Sequence, residues 1–210
     1  YNMENYSNDL NSTNKVISLI DSGYLHPDKK MYENISFNKV IKNANYYYQE
    51  LSKFLLLIEK YYQGKIVFCK HPRAIYEDEF FKQIEDNFII SSKKTEEQII
   101  KSDLIIFTGG SSLVNLAILT FKRILLLKSP EQSYSGSQIE SLNKKIKLET
   151  IDLYQFLEKY DNYEAEIFFS NKLSLNNDFI KNEYKEYIYK KIIYEKDQKS
   201  YDQIKNIIFN

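Results

Sequence analysis

Three stretches that lie outside the helical patterns are apolar at each of four consecutive positions: Ile66-Val67-Phe68-Cys69, Leu104-Ile105-Ile106-Phe107 and Ile124-Leu125-Leu126-Leu127. A strand with one wet face alternates apolar and polar residues, so a strand apolar throughout must be covered on both faces. These runs are far shorter than the ~20 residues that span a bilayer, which leaves a sheet buried between two layers. The intervening segments follow another period. Residues 44–62 set Tyr47, Leu51, Phe54, Leu55, Ile58 and Tyr62 three or four positions apart, the stripe of an amphipathic helix.

The alternation continues along most of the chain. A short apolar run at 16–20 reads as a strand ending at Asp21-Ser22-Gly23. Gly64 sits where a helix C-terminus favours glycine, and a strand at 65–70 follows, ending at His71-Pro72. Next come a helix near 77–86, a strand at 88–91, and a helix opened by a capping-box-like Thr95-Glu96-Glu97-Gln98 with Thr95 as cap. A strand at 104–107, a helix at 112–121 and a strand at 123–128 repeat the unit, before a helix at 138–145 and a weaker strand at 148–153. From residue 177 onward the apolar spacing predicts one or two helices that pack back on the domain. Strands joined by helices imply right-handed crossovers and a mainly parallel sheet, so the expected fold is α/β and doubly wound. Three regions follow: a linker or disordered end at 1–14, an α/β domain at 15–160 and a C-terminal helical tail at 161–210.

Composition narrows the partners. Lys+Arg and Asp+Glu both number 29, so no basic field argues for nucleic acid. The single cysteine, Cys69, lies in an apolar run, which excludes a disulfide framework, fits a reducing compartment and reads as a small buried hydrophobe. No carboxylate pair or His/Cys cluster has metal-ligand spacing, so no metal is expected. The chain begins at Tyr1 rather than methionine, and the expectation is a piece of a longer protein with a further domain upstream.

In an open α/β sheet a ligand sits beyond the carboxyl ends of the strands. Four strand-end loops therefore matter: Asp21-Ser22-Gly23, His71-Pro72-Arg73, Thr108-Gly109-Gly110-Ser111-Ser112 and Ser129-Pro130-Glu131. The chain has 2 histidines, His26 and His71, and each is followed by proline, which biases the histidine toward extended backbone. The 108–112 turn enters a helix N-terminus, where N–H groups favour an anion, glycines admit close approach and serine hydroxyls can donate to phosphate. It has neither the lysine of a P-loop nor the third glycine of a dinucleotide fingerprint. Glycines and serines there are also ordinary turn and cap residues, and a His-Pro pair is also an ordinary surface turn. Their joint position is what favours a site. Tyr46-Tyr47-Tyr48 reads as helix surface plus core rather than a stacking platform.

Lys70-His71-Pro72-Arg73 and Gly110-Ser111-Ser112, with the apolar helix and strand that follow, resemble motifs of bacterial two-Rossmann-domain (GT-B type) glycosyltransferases that use CMP-activated sugars. The 21–28 stretch with Tyr47-Tyr48 also looks like sialyltransferase-like proteins of capsule and lipooligosaccharide synthesis, and the resemblance covers about residues 15–130. It implies a Rossmann-like domain that forms the C-terminal, nucleotide-binding half of such an enzyme. It implies that His71 acts on the departing donor phosphate and that Ser111 and Ser112 bind it, with Pro72, Arg73, Thr108, Gly109 and Gly110 around them. Asp21, Ser22, Gly23 and His26 are further candidates. The general base of those families lies in their N-terminal domain, and Asp21-Ser22-Gly23, the nearest string here, follows the first strand of the present one.

The implied partners are a nucleotide sugar and a glycan or glycolipid acceptor, with no cofactor and no nucleic acid. The implied location is cytoplasmic, extending to peripheral association with the inner face of the membrane. A nucleotide-sugar epimerase or pyruvyl transferase of similar fold and a non-catalytic nucleotide-binding module are the alternatives.

Overall fold

The computed structural model describes residues 15–22, 37–76, 78–109, 111, 113–130, 146, 148–160, 162–173 and 177–188. Six strands form one sheet: β1 (Lys15–Ile20), β2 (Gly64–Cys69), β3 (Ile89–Ile90), β4 (Leu104–Phe107), β5 (Arg123–Lys128) and β6 (Glu149–Asp152), in the order β3-β2-β1-β4-β5-β6. Every pairing is parallel. The chain starts in the middle of the sheet, builds outward through β2 and β3, then returns to the other side of β1 and builds through β4, β5 and β6. The direction reverses between β1 and β4, which makes the sheet doubly wound with its switch point there.

Alternation along the strands explains the two covered faces. Ile17, Leu19, Ile66, Phe68, Leu104, Ile106, Leu125 and Leu127 face one side and join one buried cluster. Against them lie α1 (Phe37–Tyr62), α2 (Asp78–Asn87), α5 (Leu153–Lys159) and α6 (Asn162–Leu173). Ile20, Cys69, Ile105, Phe107, Ile124 and Leu126 face the other side. They meet α3 (Thr95–Lys101), α4 (Leu113–Leu119) and α7 (Asn177–Tyr187). The four residues of β4 are all buried, as a run apolar on both faces requires. Each such side chain removed from water stabilises the fold by about 1.5–3 kcal/mol.

Several local expectations change. Gly64 is not a helix cap. Gln63 takes the left-handed conformation (φ 56°) at the end of α1, and Gly64 opens β2 opposite Lys15. A Cβ on Gly64 would lie 2.9 Å from the Lys15 carbonyl oxygen and 2.9 Å from Ile17 Cγ1, so close strand approach is what requires glycine.

The cap of α3 is Lys94 rather than Thr95, and it makes no side-chain cap bond. Gln98 instead turns inward. Its Nε2 donates to Ser18 Oγ at 3.0 Å, Ser18 and Ser102 share a 2.6 Å hydroxyl contact, and Ser102 donates to the Gln98 carbonyl at 2.7 Å. Ser18, a polar residue among the apolar positions of β1, is thereby satisfied.

α5 has no counterpart in the sequence pattern, and α6 lies within the region expected as a helical tail but ahead of residue 177, where the helical apolar spacing begins. α6 carries apolar residues on both sides, with Ala165, Phe169 and Leu173 buried and Tyr163 and Ile167 exposed. Phe169 packs at 6.0 Å from Phe54 of α1 and 5.2 Å from Phe156 of α5. The helix expected at 138–145 and the tail beyond 188 lie outside the described residues.

Candidate functional site at the sheet switch point

Register sets the strand-end loops side by side. Ile20 is level with Cys69 on one side and Phe107 on the other, so Asp21, Lys70 and Thr108 leave the sheet at the same height. Neighbouring strands lie about 4.8 Å apart, which puts the ends of β2 and β4 about 10 Å apart across β1. Gly23, His26, Gly110 and Ser112 lie outside the described residues. Asp21, Ser22, His71, Pro72, Arg73, Thr108, Gly109 and Ser111 are all placed along this one edge.

Asp21 holds the edge together. Its side chain is 2% exposed. Oδ1 accepts from Thr108 Oγ1 at 3.2 Å, and Oδ2 accepts from Tyr48 at 3.4 Å and from the Tyr76 hydroxyl. The Asp21 amide donates to the Cys69 carbonyl at 3.2 Å. One carboxylate thus ties β1 to α1, to the loop after β2 and to the loop after β4. Burial first, and the facing Asp21 carboxylate second, push the Tyr76 and Tyr48 phenols well above their ordinary range, so both remain donors. Thr108 Oγ1 also accepts the Ser22 amide at 2.9 Å, closing the switch point from both sides.

His71 opens a tight turn. The Ala74 amide donates to the His71 carbonyl at 3.1 Å, with Pro72 and Arg73 as the exposed central pair. The Arg73 amide donates to His71 Nδ1 at 3.3 Å, so the neutral ring carries its proton on Nε2. The His71 amide donates to the Tyr76 oxygen at 2.8 Å. Both the turn character and the strand-end position expected of His71 are therefore present together.

Ser111 serves as a cap. Its Oγ accepts the Leu113 amide at 3.2 Å and its carbonyl accepts the Val114 amide at 3.2 Å, at the start of α4. The hydroxyl proton is not used by that cap. Gly109 is buried beside Thr108. On the next strand Ser129 is also buried, and its Oγ has no hydrogen-bond partner among the described residues; Pro130 is exposed and Glu131 lies outside the described residues. Cys69, just below the edge, is buried, and burial raises its thiol to about 11.

Sequence reasoning passed over Tyr76, and Tyr48 entered it as a core residue. The signal available for both was indirect, since a carboxylate at the end of a buried strand needs donors. A separate groove of about 250 Å³ lies at the β6 edge, lined by Glu149, Gln155, Phe156, Lys159, Tyr160 and Phe168 among others. None of the candidate residues lines it. Among the described residues, no group of three or more His, Cys, Asp or Glu side chains could hold a metal ion, and no helix is long and apolar enough to cross a membrane.

The strand order, all parallel with its switch point between β1 and β4, defines a Rossmann-like α/β domain. No family model matches the chain, and no curated protein does. Among solved structures it is similar to the spinosyn forosaminyltransferase SpnP, at 12% identity over 85% of this chain and 42% of that one, with a TM-score of 0.42. It is also similar to the glycotransferase of kitacinnamycin, at 9% identity over 83% of this chain and 40% of that one, with a TM-score of 0.40. The chain spans about two fifths of the length of either.

Proposed function

We propose that this domain binds the donor nucleotide of a glycosyl transfer reaction, with a CMP-sugar as donor and a surface glycan or glycolipid as acceptor. The acceptor site and the general base would then come from a further domain. The observation that carries this reading is the row His71, Asp21, Thr108 and Ser111 along one edge of the switch point.

In such a transfer the sugar–phosphate bond breaks, positive charge grows on the sugar and negative charge on the departing phosphate. A donor aimed at that phosphate lowers the barrier, and Nε2–H of His71 and the Ser111 hydroxyl are the donors on either side. No step in this chemistry calls for a cofactor or metal. A second reading, a nucleotide-binding module without turnover, is favoured by Asp21, whose carboxylate is already engaged by three hydroxyls and is nearly inaccessible.

Calorimetry with CMP, CDP, UDP and GDP, followed by turnover of CMP-sugars by the full-length protein, tests both. CMP binding with turnover supports the transferase, and binding without turnover supports the module. No binding of any of them at millimolar concentration overturns the nucleotide assignment. His71→Ala should lower kcat and kcat/KM together by about 10²–10³, the usual loss for one preorganised donor at developing charge. A folded variant within about threefold of wild-type kcat removes His71 from the mechanism, since acid–base assistance is worth at least about 10².

A further inference from the structure

The Tyr76 ring and its hydroxyl live in different surroundings. The ring lies 4.6 Å from Phe81 and 6.4 Å from both Phe68 and Tyr48, inside the aromatic group under the β2 edge. Its hydroxyl reaches out of that group and joins two loops. It accepts the His71 amide at 2.8 Å and donates its own proton to Asp21. Asp21 in turn is fixed by Thr108 at the start of the β4 loop. A continuous chain of hydrogen bonds therefore runs from the first residue of the His-Pro turn to the far side of the switch point.

The direction of that chain is settled chemically. An amide N–H can only donate, so the Tyr76 oxygen must accept it, and the phenolic proton is left for Asp21. Burial and the adjacent carboxylate keep the phenol protonated, so the order does not invert over any ordinary pH range. The turn itself adds the second constraint, the Arg73 amide on His71 Nδ1. With the backbone of His71 held from below and one ring nitrogen held from the side, the imidazole has a defined tautomer and a defined place relative to the β1 and β4 loops.

We propose that Tyr76 is a positioning residue for His71: its hydroxyl transmits the location of the Asp21 carboxylate to the histidine turn and so selects the ring state that presents Nε2–H. As a functional statement this rests on the reading of the edge as a phosphate site. The geometric part can be tested without it.

Tyr76→Phe deletes one oxygen and keeps the ring in its aromatic group. The chain has 2 histidines, so His71 imidazole nitrogen signals can be assigned by loss in His71→Ala and followed by ¹⁵N NMR near neutral pH in the absence of nucleotide. The wild type should show the Nε2–H tautomer. In Tyr76→Phe the shifts of the two ring nitrogens should move toward each other as the second tautomer becomes populated, and an unchanged pair of shifts overturns the proposal. Asp21→Asn weakens the same chain from its other end and should give the same change in the same direction, which keeps the test decisive if Tyr76→Phe folds poorly.

In calorimetry with CMP, Tyr76→Phe should bind about threefold to tenfold more weakly, the range of one lost hydrogen bond. In a His71→Ala background the same change should add less than about twofold, because an effect acting through His71 has nothing left to act on. Equal weakening in both backgrounds overturns the positioning role. If the wild type binds no nucleotide, the donor-site reading fails on that arm, and the tautomer measurement still decides whether Tyr76 sets the state of His71.

Discussion

Removing the Asp21 carboxylate should cost far more stability than neutralising it. In Asp21→Ala the Tyr48 hydroxyl, on a side chain with 0% exposure, loses the acceptor 3.4 Å away, and the Tyr76 hydroxyl loses its acceptor while still holding the His71 amide. Thr108 is better placed to recover, because its Oγ1 already lies 3.5 Å from the Ile20 carbonyl. Two buried donors that lose a carboxylate acceptor, at about 1–3 kcal/mol each, put the loss near 3–5 kcal/mol. Asp21→Asn preserves the shape. Its carbonyl can face the two tyrosines and its amide can donate to Thr108 Oγ1, so charge-assisted bonds become neutral ones at a net cost of about 1–2 kcal/mol. At roughly 2–4 °C per kcal/mol for a chain of this size, the alanine variant should melt about 6–20 °C lower and the asparagine variant within about 8 °C of wild type. Urea unfolding monitored by tyrosine fluorescence and far-UV circular dichroism gives the two free energies. If Asp21→Ala is as stable as Asp21→Asn, the carboxylate is not what binds these loops together.

Gly64→Ala should destabilise the fold by about 1–2 kcal/mol in urea unfolding, because a Cβ 2.9 Å from a backbone oxygen forces β1 and β2 apart, and the entropy gain in the unfolded chain offsets only part of that; unchanged stability would show that the strands separate freely at that end. Stability should also fall in alkali. Tyr48 and Tyr76 titrate above their unfolded value near 10, so their contribution is complete below pH 10 and is lost above it as the unfolded chain ionises first, at up to about 1.4 kcal/mol per pH unit for each tyrosine. Cys69, raised by burial from 9.0 to about 11, adds a loss that begins near pH 9. Tyr76→Phe should flatten this dependence above pH 10, and a slope equal to wild type would remove Tyr76 from the account.

The fold was legible because its strongest signal was physical rather than statistical. β4 (Leu104–Phe107) and β5 (Arg123–Lys128) fall where the continuously apolar runs lie, since a strand buried on both faces has no freedom to place a polar residue outward. Ser18 tests that rule. It sits on β1 facing α3 and is tolerated because Gln98 and Ser102 complete its hydrogen bonds, a compensation that pattern alone does not reveal. α6 falls inside the expected helical tail, but no apolar spacing marks it as a separate helix. Its apolar residues are divided between the α1 contact and an exposed side, so no single stripe appears at helical spacing. Gly64 shows a third limit: a glycine between a helix and a strand is consistent with a cap or with close strand contact, and only the distance to Lys15 tells them apart.

At the candidate site, sequence reasoning could say which loops share an edge but not which residues hold them. A topological rule brings the ends of β1, β2 and β4 together, and that rule needs only the order of elements. Tyr76 follows from no such rule. It lies in the loop ahead of α2, five positions after His71, and its role depends on a carboxylate 55 positions earlier in the chain. What links them is the cost of burial: a nearly inaccessible carboxylate must be surrounded by donors, and in a tyrosine-rich chain phenols are the donors that can also fill an apolar space. Asp21 therefore changes meaning between sequence and structure. As a string, Asp21-Ser22-Gly23 invites comparison with a catalytic base. In place, its oxygens receive Tyr48, Tyr76 and Thr108, so its negative charge organises the edge.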